Sequence, residues 1–193
     1  MNDEKATLKR YLQAERDALL WKLDGLSERE LRWPRTPTGT NLLGLVKHMA
    51  FVELGYFGDT FGRPYDAVMP DVDADPNADL FATAEESRDD IVGLYHRAWV
   101  HSDATIDNLE LDATGSVPWW PEDRREVTLH RVLVHVITDA ARHAGHADIL
   151  REGVDGATGL FADRTNMPDV DWPAYVARLE AIADESWRGR RSL

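Results

Sequence analysis

The chain contains no cysteine. That excludes disulfides, thiolate metal clusters and a cysteine nucleophile, so any chemistry rests on other side chains. Positive charge is also scarce: 22 lysines and arginines stand against 35 aspartates and glutamates, a formal net charge of −13. Binding to a phosphate backbone depends on Lys and Arg neutralising it, so nucleic acid is not an expected partner. An anionic membrane surface is disfavoured for the same reason. No run approaches the roughly 18 apolar residues needed to span a bilayer. The stretch MNDEKATLKRYLQAERDALL is charged from its third residue and has no apolar core of the signal-peptide kind. The expectation is a soluble, cytoplasmic protein. Internal repeats and low-complexity tracts are absent, and strand signals are weak throughout. A length of 193 residues predicts a single domain over 1–193. Such a chain buries about 70% of its unfolded surface and needs neither disulfide nor metal merely to fold.

What is present is the helical period. Leu8, Tyr11, Leu12, Glu15, Leu19 and Leu23 recur three or four apart, which predicts an amphipathic helix over about residues 3–24. Ser27 to Glu30 reads as a capping box opening a short helical turn. Pro34 and Pro37 break the stretch from Trp33 to Gly39. A second long helix starts near Thr40 or Asn41 and runs to about Phe57. Its apolar residues cover nearly the whole circumference, so it is expected to be the most buried. Residues 62–82 form a linker rich in Pro and Asp. Thr83 to Glu86 reads as a second capping box, opening a helix that carries Ile91, Leu94, Tyr95, Ala98, Ile106 and Leu109. Residues 110–127 read as a loop, a fourth long helix follows from about Thr128 to Glu152, and Asp171-Trp172-Pro173 announces a C-terminal helix. The fold class is all-α: a four-helix bundle core over about 3–152, with a C-terminal extension over 153–193 that carries an additional helix.

The fourth helix holds His130, His135, His143 and His146. At about 100° per residue, Asp139 and His143 share one flank of its apolar arc and point into a helix–helix seam, whereas His135 and His146 lie further round towards solvent. An Asp and a His at i and i+4 can converge on one ion. His48 is the sole histidine of the second helix and sits among Leu45, Val46, Met49 and Val52. It is either the third ligand or a core histidine bonded to a carbonyl or to a carboxylate such as Glu53. Three protein ligands leave open positions, as in catalytic rather than structural zinc sites. Zinc leads, and imidazole with carboxylate also suits nickel, iron or manganese. Glu53 falls on the apolar side of its helix and needs a partner, either an arginine or a role as a base or as support to a ligand. Trp119 and Trp120 either roof a pocket or anchor their loop.

Leu45, Lys47, His48, Met49 and Glu53, followed by Gly55, Tyr56, Phe57 and Gly58, resemble the second helix of the DinB-like superfamily. Arg142, His143, Gly145, His146, Asp148, Arg151 and Glu152 resemble its last bundle helix. The nearer match is the actinobacterial subfamily of unknown function, and the resemblance runs from the first helix to Gly159. It implies a four-helix bundle with a divalent metal held by His48, Asp139 and His143. Aspartate at 139 departs from the usual histidine or glutamate. His146 stands where glutamine is common and is a candidate additional ligand or replacement for Asp139. Relatives include the mycothiol-dependent maleylpyruvate isomerase and thiol S-transferases.

The function this implies is a metal-dependent enzyme of S-transferase or isomerase type, acting on a small-molecule substrate with mycothiol or another external thiol. The alternatives are a metal-dependent hydrolase with Glu53 as base, and a non-enzymatic metal- or ligand-binding stress-response bundle. No residue is assigned a catalytic role beyond metal binding. The family resemblance also implies a homodimer.

Overall fold

The computed structural model describes residues 4–66 and 68–190, with side chains through residue 187. The expected start of the first helix at residue 3 lies outside the described residues. Helix α1 spans Glu4–Trp21 and buries Leu12, Arg16, Ala18 and Leu19. It stops three residues earlier than its apolar period suggests, because residues 22–25 turn through Gly25, whose φ of 75° is left-handed. The short α2, Glu28–Arg32, has the expected capping box, with Ser27 accepting from the Glu30 amide and Glu30 from the Ser27 amide.

Helix α3, Leu42–Glu53, begins at Asn41, whose side chain accepts from Gly44 N at 2.7 Å. Nine of its residues are buried, as an almost wholly apolar helix requires. It does not continue as regular α-helix to Phe57. Leu54–Gly58 forms a π-helical turn, and Asp59–Phe61 a 3₁₀ turn closed by Gly62 at φ 66°. The wider turn lets Leu54, Tyr56 and Phe57 all be buried. Such bulges recur at functional sites.

Helix α4 is Arg88–Asn108, capped by Ser87 with Asp90. It therefore starts after the predicted Thr83 box. Thr83 N–H does donate to Glu86 Oε2 at 2.7 Å, but Lys47 Nζ takes the same oxygen at 2.8 Å. The Thr83 segment makes only a turn, and the complete box one step later wins. Across the expected 110–127 loop and one residue beyond it, β1 (Thr114–Ser116) pairs antiparallel with β2 (Glu126–Thr128), Gly115 opposite Val127. Gly115 permits this ladder to press on the 3₁₀ turn, since a Cβ there would lie 2.6 Å from the Thr60 carbonyl oxygen.

Helix α5, Leu129–Asp155, is capped by Thr128 and ends at Gly156 with φ 78°. Its buried stripe is Val132, Leu133, Val136, Ala140, Ala144, Ala147 and Leu150. Helix α1 packs along α5, α3 packs on α4, and α3 also meets α5. These four helices enclose the core, in which a fully buried Leu or Phe contributes about 1.5–3 kcal/mol. The amphipathic α6, Trp172–Arg190, is started by Asp171 accepting from Ala174 N at 3.0 Å, and its described residues are all exposed. Among the described residues no helix is long and apolar enough to cross a membrane.

Candidate metal centre

His48 projects from α3, and Asp139 and His143 project from α5, one turn apart. One ligating atom from each of the three lies within 4.8 Å of the others. The His48 and His143 rings meet edge to face with centroids 4.8 Å apart, and His143 Nε2 lies 3.4 Å from Asp139 Oδ1. All three side chains are half-buried. They sit inside the α3–α5 seam yet remain reachable from outside.

The surrounding bonds prepare the set. His48 Nδ1 lies 2.6 Å from Asp79 Oδ2, a carboxylate delivered by the long linker. When Nδ1 carries the proton donated to Asp79, Nε2 is the free ligand atom. A carboxylate behind a metal-binding histidine orients the ring in this way. The hydrogen bond with His48 holds the Asp79 carboxyl below the usual range. Asp139 is likewise held down, first by the hydrogen bond with His143, then by the fields of His143, His48 and His135. Both carboxylates therefore present charged oxygens. His143 Nδ1 is buried with no hydrogen-bond partner among the described residues. Leaving such an atom unsatisfied costs about 1–3 kcal/mol. An unpartnered buried nitrogen beside a charged carboxylate and a second oriented imidazole suits a divalent cation, and two imidazoles with one carboxylate are an ordinary donor set for zinc.

A cavity of about 440 Å³ opens beside the trio. Thr38, Thr40, Asn41, Asp75 and Asn77 give it a polar wall, and His143 and His146 line it from α5. His146 is exposed, with its ring 5.4 Å from that of His143. It belongs to the cavity and lies outside the converging trio.

In the other direction along the seam stands an aromatic group. Eight residues forward from His48 is Tyr56, and eight back from His143 is His135. Tyr56 Oη lies 3.0 Å from His135 Nε2, so the two elements run in opposite senses. Trp120 Nε1–H donates to the same Oη at 3.0 Å. Trp119 packs edge-on against Tyr56 at 5.1 Å and over Gly55, where a Cβ would lie 2.8 Å from its ring. The two tryptophans thus anchor their loop and form an aromatic end to the seam. His135, expected towards solvent, is instead half-buried against Tyr56, a residue of the π turn.

Glu53 is elsewhere. Its oxygens accept from Arg16 Nε at 2.9 Å and from Arg16 Nη2 at 2.6 Å, and both side chains are fully buried. Arg16 also binds Asp103 at 2.9 Å. With both oxygens engaged, Glu53 does not reach the trio, and the partner arginine foreseen for it is Arg16.

Sequence reasoning did not single out Asp79, Tyr56 or His135 for the site. Asp79 is one of five aspartates in residues 62–82, with no periodicity to mark it. His135 carried a usable signal, since it continues the Asp139 and His143 spacing by one more turn.

A family model for mycothiol S-transferases matches residues 7–156. No curated protein matches the chain. The match runs from α1 to the glycine that ends α5 and takes in all three converging side chains, so the chain belongs to the mycothiol S-transferase family, a DinB-like family.

Proposed function

We propose that this chain is a metal-dependent S-transferase that joins the sulfur of a diffusible thiol, mycothiol, to an electrophilic small molecule. The observation that carries the reading is the convergence of His48, Asp139 and His143 in a chain without cysteine. With no thiol of its own, the protein must receive its sulfur from outside.

In this reading His48, Asp139 and His143 hold one divalent ion, zinc first among the candidates, with His146 at the cavity rim. A bound metal lowers the pKa of a thiol, and so supplies a thiolate nucleophile at neutral pH. The chain's own residues do the rest. Asp79 fixes the His48 ring. The hydroxyl, amide and carboxylate groups of Thr38, Asn41, Asn77 and Asp75 offer hydrogen bonds to a polar thiol in the cavity. At the opposite end, the exposed Trp119 and the half-buried Trp120, backed by Tyr56, offer apolar surface to an electrophile. Because Trp120 N–H can only donate, the Tyr56 oxygen accepts from it, and the phenol proton is shared with His135 Nε2.

The test is product formation. Metal-loaded protein is incubated with mycothiol and a simple electrophile such as a haloarene, and the thioether is followed by mass spectrometry. Turnover that needs both thiol and metal, and is lost in His48→Ala, supports the reading. Electrophile consumed at the same rate without thiol, giving a hydroxylated product in place of the thioether, would point to hydrolysis instead.

A further inference from the structure

A second cavity, of about 480 Å³, lies between the outward face of α4 and the segment that follows the 3₁₀ turn. It shares no lining residue with the cavity beside the trio. We propose that it binds a small organic anion, a carboxylate or sulfonate carried on an aromatic or branched aliphatic body.

In a chain of net charge −13, this cavity is lined by Arg63, Arg97, His96 and His101, and by no carboxylate among the described residues. Asp59 lies near His101 and Asp90 near Arg97, close enough to feel them. Neither lines the cavity, and neither forms an ion pair with its arginines among the described residues. Arg97 forms no hydrogen bond or ion pair with any described residue. Its guanidinium lies back along α4 over Gly93, where a Cβ would come within 3.1 Å of Nη1. A mid-helix glycine costs about 1 kcal/mol relative to alanine, and room for this arginine is what the glycine supplies.

The cationic side of the cavity is also rigid. Arg63 N–H donates to the Gly58 carbonyl at 3.0 Å, and the Arg63 carbonyl accepts from His101 Nε2 at 2.7 Å. Arg63 Nη1 donates to Thr105 Oγ1, whose own hydroxyl donates to the Phe57 carbonyl at 2.8 Å. Gly58 permits the close approach, since a Cβ there would lie 2.9 Å from the Arg63 carbonyl oxygen and 3.1 Å from His101 Nε2. One guanidinium nitrogen is spent on this frame, and the rest of the fork has no hydrogen-bond partner among the described residues. A planar fork held in place is suited to a carboxylate or sulfonate.

The floor of the cavity is apolar. Val100 is 73% exposed on a rigid helix, beside Ala104. The Tyr65 ring stands edge-on to His101 at 5.3 Å. An inorganic anion would leave this surface wet, whereas a ring or branched chain would cover it.

The experiment is a benzoate titration of the metal-loaded full chain, followed by isothermal calorimetry and by the NMR signals of the His96 and His101 rings. The expected result is saturable binding that weakens about tenfold or more in Arg97→Glu, and similarly in Val100→Glu. Both positions are exposed, and unchanged circular dichroism and melting temperature verify that the variants fold. Binding must persist unchanged in His48→Ala, which separates this cavity from the metal centre. Inorganic phosphate, which has charge without an apolar body, must compete poorly. The proposal is overturned if benzoate does not saturate, if neither cavity variant weakens it, if His48→Ala abolishes it, or if phosphate competes equally well.

Discussion

Helix α3 carries two charged clusters that face different neighbours. Glu53 turns to α1, where Arg16 meets it with two hydrogen bonds and reaches on to Asp103 of α4. His48, five residues earlier, meets Asp139 and His143 of α5. The first cluster is closed: the donors of Arg16 find Glu53, Asp103 and Gln13. Burial alone would lower the Arg16 pKa, and the fields and hydrogen bonds of Glu53 and Asp103 together raise it instead. The second cluster is open, with a buried His143 nitrogen that has no partner among the described residues and three potential ligand atoms within 4.8 Å of one another. Polar groups inside one bundle therefore serve two ends, and satisfaction is what tells them apart. A saturated ion pair ties helices together, whereas the trio keeps a buried imidazole nitrogen without a partner among the described residues.

Single substitutions should pull these roles apart. Glu53→Ala strands a buried guanidinium and is expected to cost about 3–5 kcal/mol of stability by denaturant unfolding. Its folded fraction should still bind metal. If that variant instead unfolds like the parent, the contrast fails on its structural side. Asp79→Asn keeps a group near His48 but removes the charge, and is expected to weaken metal affinity about 10–100-fold with little change in the melting temperature of the metal-free protein. Full affinity in this variant would remove Asp79 from the centre. Asp103→Asn tests the rim of the closed cluster. Asp103 is partly exposed and shared with Lys9, so a loss of about 1 kcal/mol or less is expected, with no effect on metal binding. A loss equal to that of Glu53→Ala would mean that the network acts as one unit.

The sequence made the architecture legible where pattern and burial agree. The long α5 shows its buried stripe as an apolar period, and the lone histidine of an apolar α3 marks His48 as exceptional. The i and i+4 spacing places Asp139 and His143 on one face. Contacts made across loops are not written in any period. Asp79 lies in a linker with four other aspartates, and only the folded path of residues 62–82 brings it to His48. The π turn at Leu54–Gly58 was equally hidden, because the helical period runs on to about Phe57 and only the fold sets Trp119 against Gly55 and Arg63 against Gly58. The Thr83 box shows a local signal met in part: Thr83 N–H donates to Glu86, whose carboxylate Lys47 also takes, while the helix itself starts at the Ser87 box. Helix α6 has an apolar stripe as clear as that of α5, yet its described residues lie exposed. Amphipathicity specifies a helix and leaves its cover undetermined.

The open cluster is the centre of the account, and cobalt substitution tests it most directly. Protein loaded with cobalt and titrated with mycothiol should bind one ion per chain and develop a sulfur-to-cobalt charge-transfer absorption that saturates with thiol. The same signal should be absent in His48→Ala and present in folded Glu53→Ala. Protein that takes up no stoichiometric metal, or binds it equally well without His48, would contradict the account.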